Sequence, residues 1–242
     1  MAKTSQIEID TRTQEITVSD GSKMNLYVAS PKDAKAAPGI IVLQEAFGVN
    51  SHIKDVTERF AREGYLAIAP ELFHRSARNF VGPYNDFASV MPHYQALTTE
   101  GIQADIKACH AWLEAQPALA RGQIAAIGYC MGGRAAYIAN ATVPLKAAVS
   151  YYGGGIAPDL LSLARNQHGP ILMVWGGLDQ HIPAEQHSKI AEALKAAKKP
   201  YINLVFSEAD HGFFCDEKPQ YSANASSEVW ALTLQFLRNN LI

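Results

Sequence analysis

Short apolar runs alternate along most of this 242-residue chain with stretches in which apolar residues recur at helical spacing. Apolar runs without polar interruption are typical of strands that are buried on both faces of a parallel sheet. Such strands are predicted at 39–44, 65–70, 123–128, 146–152, 170–176 and 201–206. Helices are predicted at 51–64, at 99–116, from Met131 onward, at 184–198 and at 223–239. A hairpin of 15–18 with 25–30 precedes them.

This alternation predicts an α/β fold, with a mostly parallel, doubly wound sheet, helices on both faces and an N-terminal antiparallel hairpin. No linker composition interrupts residues 1–242, so we expect a single domain. Right-handed crossovers place the C-terminal ends of the parallel strands along one edge of the sheet, where doubly wound folds carry their sites. The residues that follow each strand are therefore the candidates for chemistry.

Composition narrows the classes of partner. A formal net charge of −2 gives no reason to expect nucleic acid or an anionic membrane as a partner. The polar start "MAKTSQIEID" lacks the apolar core of a signal peptide. The cysteines Cys109, Cys130 and Cys215 are odd in number and widely spaced, which argues against disulfides and a cysteine zinc site. We expect a cytoplasmic monomer or small homo-oligomer that binds a small molecule.

The helix predicted at 99–116 assigns one of these cysteines to the core. Cys109 falls on the same helical stripe as Ile102, Ile106 and Leu113. A cysteine in such a stripe usually behaves as a small buried hydrophobe. Cys109 is therefore predicted to be structural.

The turn "GYCMGG" follows the strand at 123–128 and resembles a nucleophile elbow, with Cys130 in the place of a serine. Such a turn sets the nucleophile at a helix N-terminus, whose partial positive charge favours a thiolate. The backbone N–H of Met131 could then bind an oxyanion. A dinucleotide-binding loop does not fit, because the chain lacks G-x-G-x-x-G here. Close packing of strand on helix around an inert cysteine stays open as an alternative.

Two later loops supply the partners that a cysteine nucleophile needs. Asp179 follows the strand at 170–176, and His211 follows the strand at 201–206. Nucleophile, acid and histidine in this order are typical of α/β hydrolases. In that fold the loop after the strand at 39–44 supplies a second oxyanion N–H, which here would come from Ala46.

The segments "QEAFGVN", "GYLAIAPELFHR", "IGYCMGG", "GGLDQHIP" and "EADHGFF" occur in that order between residues 44 and 214. Together they resemble the dienelactone hydrolase (carboxymethylenebutenolidase) family. The resemblance implies an α/β-hydrolase fold and a cytoplasmic enzyme that opens lactones or enol esters. It also implies that the reaction uses neither a metal nor a cofactor.

The resemblance assigns roles to particular residues. Cys130 would be the nucleophile, His211 the base and Asp179 its orienter. Glu45 matches a family glutamate that contacts the resting cysteine and helps it to ionise when substrate arrives. Arg75 matches one of two arginines that hold the carboxylate of the substrate. The implied reaction is acyl transfer through a thioester, which water activated by His211 then hydrolyses.

The chain departs from the family at the second arginine, where Cys215 stands instead. Arg78 is a possible substitute, and Phe47 and Tyr84 are further candidate substrate contacts. The poorly periodic segment 71–97 is a candidate lid or binding loop. Its candidate cavity-wall residues are Phe80, Tyr84 and Phe87.

Two other functions stay open at this point. A broader carboxylesterase or thioesterase would not require a carboxylate on its substrate. A non-catalytic ligand-binding module on a hydrolase scaffold would keep the fold without the reaction.

Overall fold

The computed structural model describes residues 7–241, and its strands form one sheet. They are β1 (Ile9–Thr17), β2 (Lys23–Pro31), β3 (Ala37–Leu43), β4 (Leu66–Pro70), β5 (Leu119–Tyr129), β6 (Ala147–Tyr151), β7 (Ile171–Gly176) and β8 (Tyr201–Phe206). Their order across the sheet is β1-β2-β4-β3-β5-β6-β7-β8. β2 pairs antiparallel with β1 and β4, whereas β4, β3 and β5 to β8 run parallel. The predicted α/β fold and its N-terminal hairpin are confirmed.

Helices connect the parallel strands. They are α1 (Ser51–Arg62), α2 (Phe87–Gln95), α3 (Thr99–Glu114), α4 (Met131–Thr142), α5 (Ala184–Ala196) and α6 (Ala223–Asn240), with a short 3₁₀ helix at Leu161–Asn166. Local sequence determines where several of them begin. The side chain of Asn50, for example, accepts the N–H of Ile53 at 3.1 Å and caps α1. Within residues 7–241, no helix combines the length and the apolar character that crossing a membrane would need.

The central strands are buried, as their apolar runs predict. All residues of β4, β6 and β7 are buried, and Cys109 lies with them in the core on α3. β8 forms at the predicted position, but its predicted burial is wrong, because Ile202 and Val205 are exposed. β8 is the last strand of the sheet and has a neighbour on one side only, so its apolar run does not become enclosed.

The segment 71–97 contains α2, which the apolar pattern did not predict. Asp86 caps this helix by accepting the N–H of Ser89 at 3.2 Å, and Pro92 lies inside it. α2 buries a single residue, Val90. A helix with one buried residue leaves no periodic apolar stripe in the sequence, which explains why it was missed.

The packing of α4 against the sheet yields a stability prediction. A Cβ on Gly132 would lie 2.1 Å from the carbonyl oxygen of Leu43 in β3. We expect Gly132→Ala to lower the free energy of unfolding by roughly 3 kcal/mol or more, measured by urea denaturation, because neither backbone can retreat easily.

Gly122→Ala is the matched control. Gly122 has φ +69° with open space around its missing Cβ, so only backbone strain of about 1 kcal/mol is expected there. Equal losses for the two variants would contradict the steric explanation.

Candidate active site

Cys130 occupies a strained turn between β5 and α4. Its backbone has φ 55° and ψ −117°, in the left-handed region that is costly for residues with a side chain. Its N–H donates to the carbonyl of Tyr151 at 3.0 Å, which fixes the turn to β6. A Cβ on Gly128 would lie 1.8 Å from the carbonyl oxygen of Gly132, so the strand and the helix meet only because that position is glycine. The thiol is held, partly exposed, at the N-terminus of α4.

His211 and Asp179 form a hydrogen-bonded pair near this turn. Nδ1 of His211 lies 2.7 Å from Oδ2 of Asp179, whose side chain is almost completely buried. The other carboxylate oxygen accepts the backbone N–H groups of His181 at 2.8 Å and Ile182 at 3.2 Å. The loop after β7 therefore fixes the acid, and the acid orients the imidazole, leaving Nε2 as the nitrogen that can exchange a proton with a reacting group.

Charge in this pair favours the imidazolium. Burial alone would lower the pKa of His211, but hydrogen bonds and charge from Asp179 and Cys130 outweigh it and raise that pKa to about 10. Burial would also raise the pKa of Asp179, yet His211 and the two backbone N–H groups hold it below its usual value. The surroundings of His211 therefore stabilise the positively charged form of its ring.

The neighbours of this pair do not compete for its roles. Asp210 accepts the backbone N–H of His211 at 2.6 Å and so is bound to the main chain. The ring of His181 stands edge-on to that of His211, with 5.5 Å between centroids. Asp179 is therefore the acid whose carboxylate is hydrogen-bonded to the His211 ring.

Two backbone N–H groups are available for an oxyanion. Ala46 and Met131 line the same cavity as Cys130 and His211. Within residues 7–241, no backbone carbonyl accepts the N–H of Ala46 or of Met131. Unoccupied donors beside a nucleophile can stabilise the negative oxygen of a tetrahedral intermediate.

The cavity above Cys130 has a volume of about 970 Å³ and an aromatic wall. Phe47, Tyr84 and Phe87, which the sequence offers as candidates, line it. Tyr94, on α2, also lines it and was missed because that helix was not predicted. A cavity of this size with apolar walls and a few polar groups is typical of small-molecule sites.

A buried ion pair lies at one side of the cavity. Glu45 is fully buried, and its Oε1 accepts Nζ of Lys218 at 2.8 Å. The ammonium group also stands 5.0 Å from the ring centroid of Phe47 and 4.8 Å from that of Tyr84. Lys218 was missed by sequence reasoning, although its place seven residues after His211 in the same loop was a usable signal.

Arg75, to which the resemblance assigns substrate binding, is bound outside the cavity in this structure. Its guanidinium donates to both oxygens of the fully buried Asp105, at 3.0 and 2.8 Å, and to Asp20 at 2.7 Å. A buried carboxylate needs such a partner, so Arg75 is held against α3 and does not line the cavity.

Two further candidates from the segment 71–97 also lie outside the cavity. Arg78 donates to Glu15 at 2.7 Å and does not line the cavity. Phe80 packs against Phe73 and His93 instead of lining it.

Cys215 differs from Cys130 in its surroundings. It is buried, and its thiol donates to the phenol oxygen of Tyr84 at 3.2 Å. Burial and the charge of Glu45 raise the pKa of Cys215 to about 11. A buried, protonated thiol is a poor nucleophile, so Cys130 is the better candidate.

The sheet order and the elbow between β5 and α4 define an α/β hydrolase. Residues 24–241 match the dienelactone hydrolase family. The chain belongs to this family and is a carboxylic ester hydrolase.

Two curated relatives carry the provisional name carboxymethylenebutenolidase. A protein from Synechocystis sp. is 31% identical over 243 residues, covering 96% of this chain and 99% of the relative. One from Escherichia coli (strain K12) is 34% identical over 233 residues, covering 91% and 84%. A crystal structure provisionally described as a dienelactone hydrolase from Klebsiella pneumoniae is 30% identical, with a TM-score of 0.86 and coverage of 96% and 99%.

The electrostatics of the His211–Asp179 pair can be tested by substitution. Asp179→Asn should lower the pKa of His211 from about 10, because the carboxylate charge is lost, and NMR titration of the ring protons would measure this.

Since the native pKa of His211 lies above the ordinary 6.5, the pair stabilises the fold fully below pH 6.5 and loses that contribution as pH rises through 10.

Asp210→Asn is the control for this titration, because Asp210 contacts the main chain of His211 and not its ring. Equal shifts in the two variants would show that the ring does not depend on Asp179.

Proposed function

We propose that this hydrolase opens lactones or enol esters through Cys130, His211 and Asp179, with a thioester intermediate. The observation that carries the proposal is the oriented His211–Asp179 pair, which shares a cavity with a thiol at a helix N-terminus. The provisional name of the relatives, carboxymethylenebutenolidase, supports a lactone as the substrate class.

The first half-reaction acylates Cys130. The thiolate attacks the carbonyl carbon, a C–S bond forms, and the carbonyl electrons move to an oxygen that the N–H groups of Ala46 and Met131 can bind. Collapse of this intermediate breaks the ring C–O bond. The imidazolium of His211 gives its proton to the departing oxygen, either as the C–O bond breaks or, for a stabilised enolate, directly afterwards, and is left neutral.

The second half-reaction depends on the change in charge that acylation causes. A thioester sulfur is neutral, so one of the causes that raise the pKa of His211 disappears when Cys130 is acylated. The neutral imidazole can then take a proton from water, whose oxygen attacks the thioester carbonyl. Cys130 departs as a thiolate, and His211 keeps the proton that it took from water.

The nucleophile favours esters over amides as substrates. In a tetrahedral intermediate a thiolate leaves more readily than an amide nitrogen, so an intermediate formed from an amide returns to substrate. An enolate or alkoxide competes with the thiolate much better. The proposed chemistry therefore argues against peptidase activity.

Lys218 supports recognition of an anionic substrate. It is the one Lys or Arg among the described residues that line the cavity, and it is bound to Glu45. A substrate carboxylate placed near the aromatic wall would compete with Glu45 for this ammonium group. Since Arg75 is held elsewhere, recognition would rest on a single cation that is already paired, and this favours a second candidate, an esterase with a weak carboxylate requirement.

The nucleophile can be tested by trapping the acyl-enzyme. With a nitrophenyl ester, mass spectrometry should find the acyl group on the peptide that contains Cys130. Cys130→Ala should abolish turnover, because among the described residues Cys130 is the one cysteine that is not buried, and it stands at a helix N-terminus.

Cys215→Ser serves as the control and should still form the adduct. Acylation at Cys215, or a wild-type rate in Cys130→Ala, would refute the proposed assignment.

The role of Lys218 can be tested with paired esters that differ only in a free carboxylate. Lys218→Gln should lower kcat/KM for the carboxylated ester by about 10- to 100-fold, the range of one charge-assisted hydrogen bond, and should change the neutral ester much less.

Lys189→Gln, in a surface pair with Glu185, is the control for a simple loss of charge. Equal losses for both esters in Lys218→Gln would favour a structural role for the lysine and the broader esterase.

A further inference from the structure

His52, in the first turn of α1, is a buried imidazole whose ring nitrogens have no hydrogen-bond partner among the described residues. Its side chain is 1% exposed, and the ring packs edge-on against Tyr129 and Phe214. A neutral imidazole carries one N–H donor and one acceptor nitrogen, and burying both without partners is unfavourable. Both ring nitrogens of His52 are therefore buried without a hydrogen bond to any described residue.

The loop after β8 brings two further ligand types to this imidazole. Sγ of Cys215 and a carboxylate oxygen of Asp216 lie with a His52 nitrogen in a group whose atoms are all within 4.8 Å of one another. Nδ1 of His52 is 3.6 Å from Oδ1 of Asp216, which is too long for a hydrogen bond. Backbone bonds from Cys215 to Gly212 and from Lys218 to Cys215 hold the loop in place.

The donor set is the kind that zinc binds. Zn²⁺ takes thiolate sulfur at about 2.3 Å and imidazole nitrogen or carboxylate oxygen at about 2.0–2.2 Å, in a tetrahedron. Its ligand atoms therefore stand roughly 3.3–3.8 Å apart, so the present group would need to contract by about 1 Å. Asp216 can supply part of that movement and an entry path, because its side chain is 66% exposed. A thiolate and a carboxylate also balance the charge of the ion.

We propose that His52, Cys215 and Asp216 form a binding site for Zn²⁺ or a similar thiophilic divalent cation. On binding, the Cys215 thiol releases its proton to solvent and a metal–sulfur bond forms, while water occupies the fourth position. The site joins α1 to the loop that also carries His211 and Lys218. It shares no residue with the group Cys130, His211 and Asp179, so it can exist whether or not the proposed hydrolysis is correct.

The competing location for a thiophilic ion is the group Cys130, His211 and Asp179, and variants separate the two. The full chain, freed of metal with a chelator, is titrated with Co²⁺ alone, and the near-ultraviolet band of sulfur-to-cobalt charge transfer is followed. Cys130→Ser should keep one equivalent of Co²⁺ and its band. Cys215→Ser should lose the band.

Asp216→Asn is a second test in case Cys215→Ser fails to fold. We expect this variant to fold, because the exposed carboxylate is not part of the core. It should weaken Zn²⁺ binding by about 10-fold or more, measured by competition with a chromophoric chelator. Zn²⁺ should also raise the Tm of the wild type and not that of Cys215→Ser.

Two outcomes would overturn the site. One is a charge-transfer band that survives in Cys215→Ser and disappears in Cys130→Ser, which would place the ion at the hydrolytic cysteine. The other is the lack of stoichiometric Co²⁺ or Zn²⁺ binding by the wild type. Ester hydrolysis that persists with the chelator present would leave the proposed function intact in either case.

Discussion

The close approach of the first turn of α4 to the ends of β3 and β5 is the constraint on which the site depends. Gly128 and Gly132 leave no room for a Cβ against the facing carbonyl groups. Because the backbones meet there, Cys130 takes a left-handed conformation that a side chain ordinarily avoids. The strain is maintained by the sheet on one side and the helix on the other, and it holds the thiol where the helix N-terminus and the loop after β3 both face it.

The loop after β8 carries the residues that give this thiol its surroundings. Within a few residues it contributes His211 to Asp179, Cys215 to Tyr84 and Lys218 to Glu45. Its interactions reach the loop after β7, the segment 71–97 and the loop after β3. A displacement of this loop would therefore alter the base, the cavity wall and the buried ion pair together, which links the geometry of the nucleophile to that of the cavity.

The sequence predicted the sheet because its central strands are buried on both faces and read as unbroken apolar runs. It also indicated the order of Cys130, Asp179 and His211, since each follows a successive strand. The partners of Arg75 could not be predicted from the sequence. Asp105 lies on α3 and Asp20 in the first hairpin, and only the tertiary structure brings these carboxylates to the guanidinium. In the same way, α2 buries too little apolar surface to leave a pattern, so Tyr94 could not be placed.

Glu45 forms an incompletely satisfied ion pair with the one cation that lines the cavity among the described residues. The carboxylate is fully buried, yet among the described residues only one of its oxygens has a hydrogen bond, to Lys218. A buried charge with half of its acceptors unsatisfied is expensive, so the arrangement is not the most stable one that a carboxylate and an ammonium group could form. Lys218 is in turn in reach of the aromatic rings that line the cavity. An incoming anion would find an ammonium group with an imperfectly satisfied partner, and binding it would release a buried carboxylate one residue from the proposed oxyanion donor Ala46. Under the proposed function, substrate binding and the electrostatics of the nucleophile are thus coupled through a single ion pair.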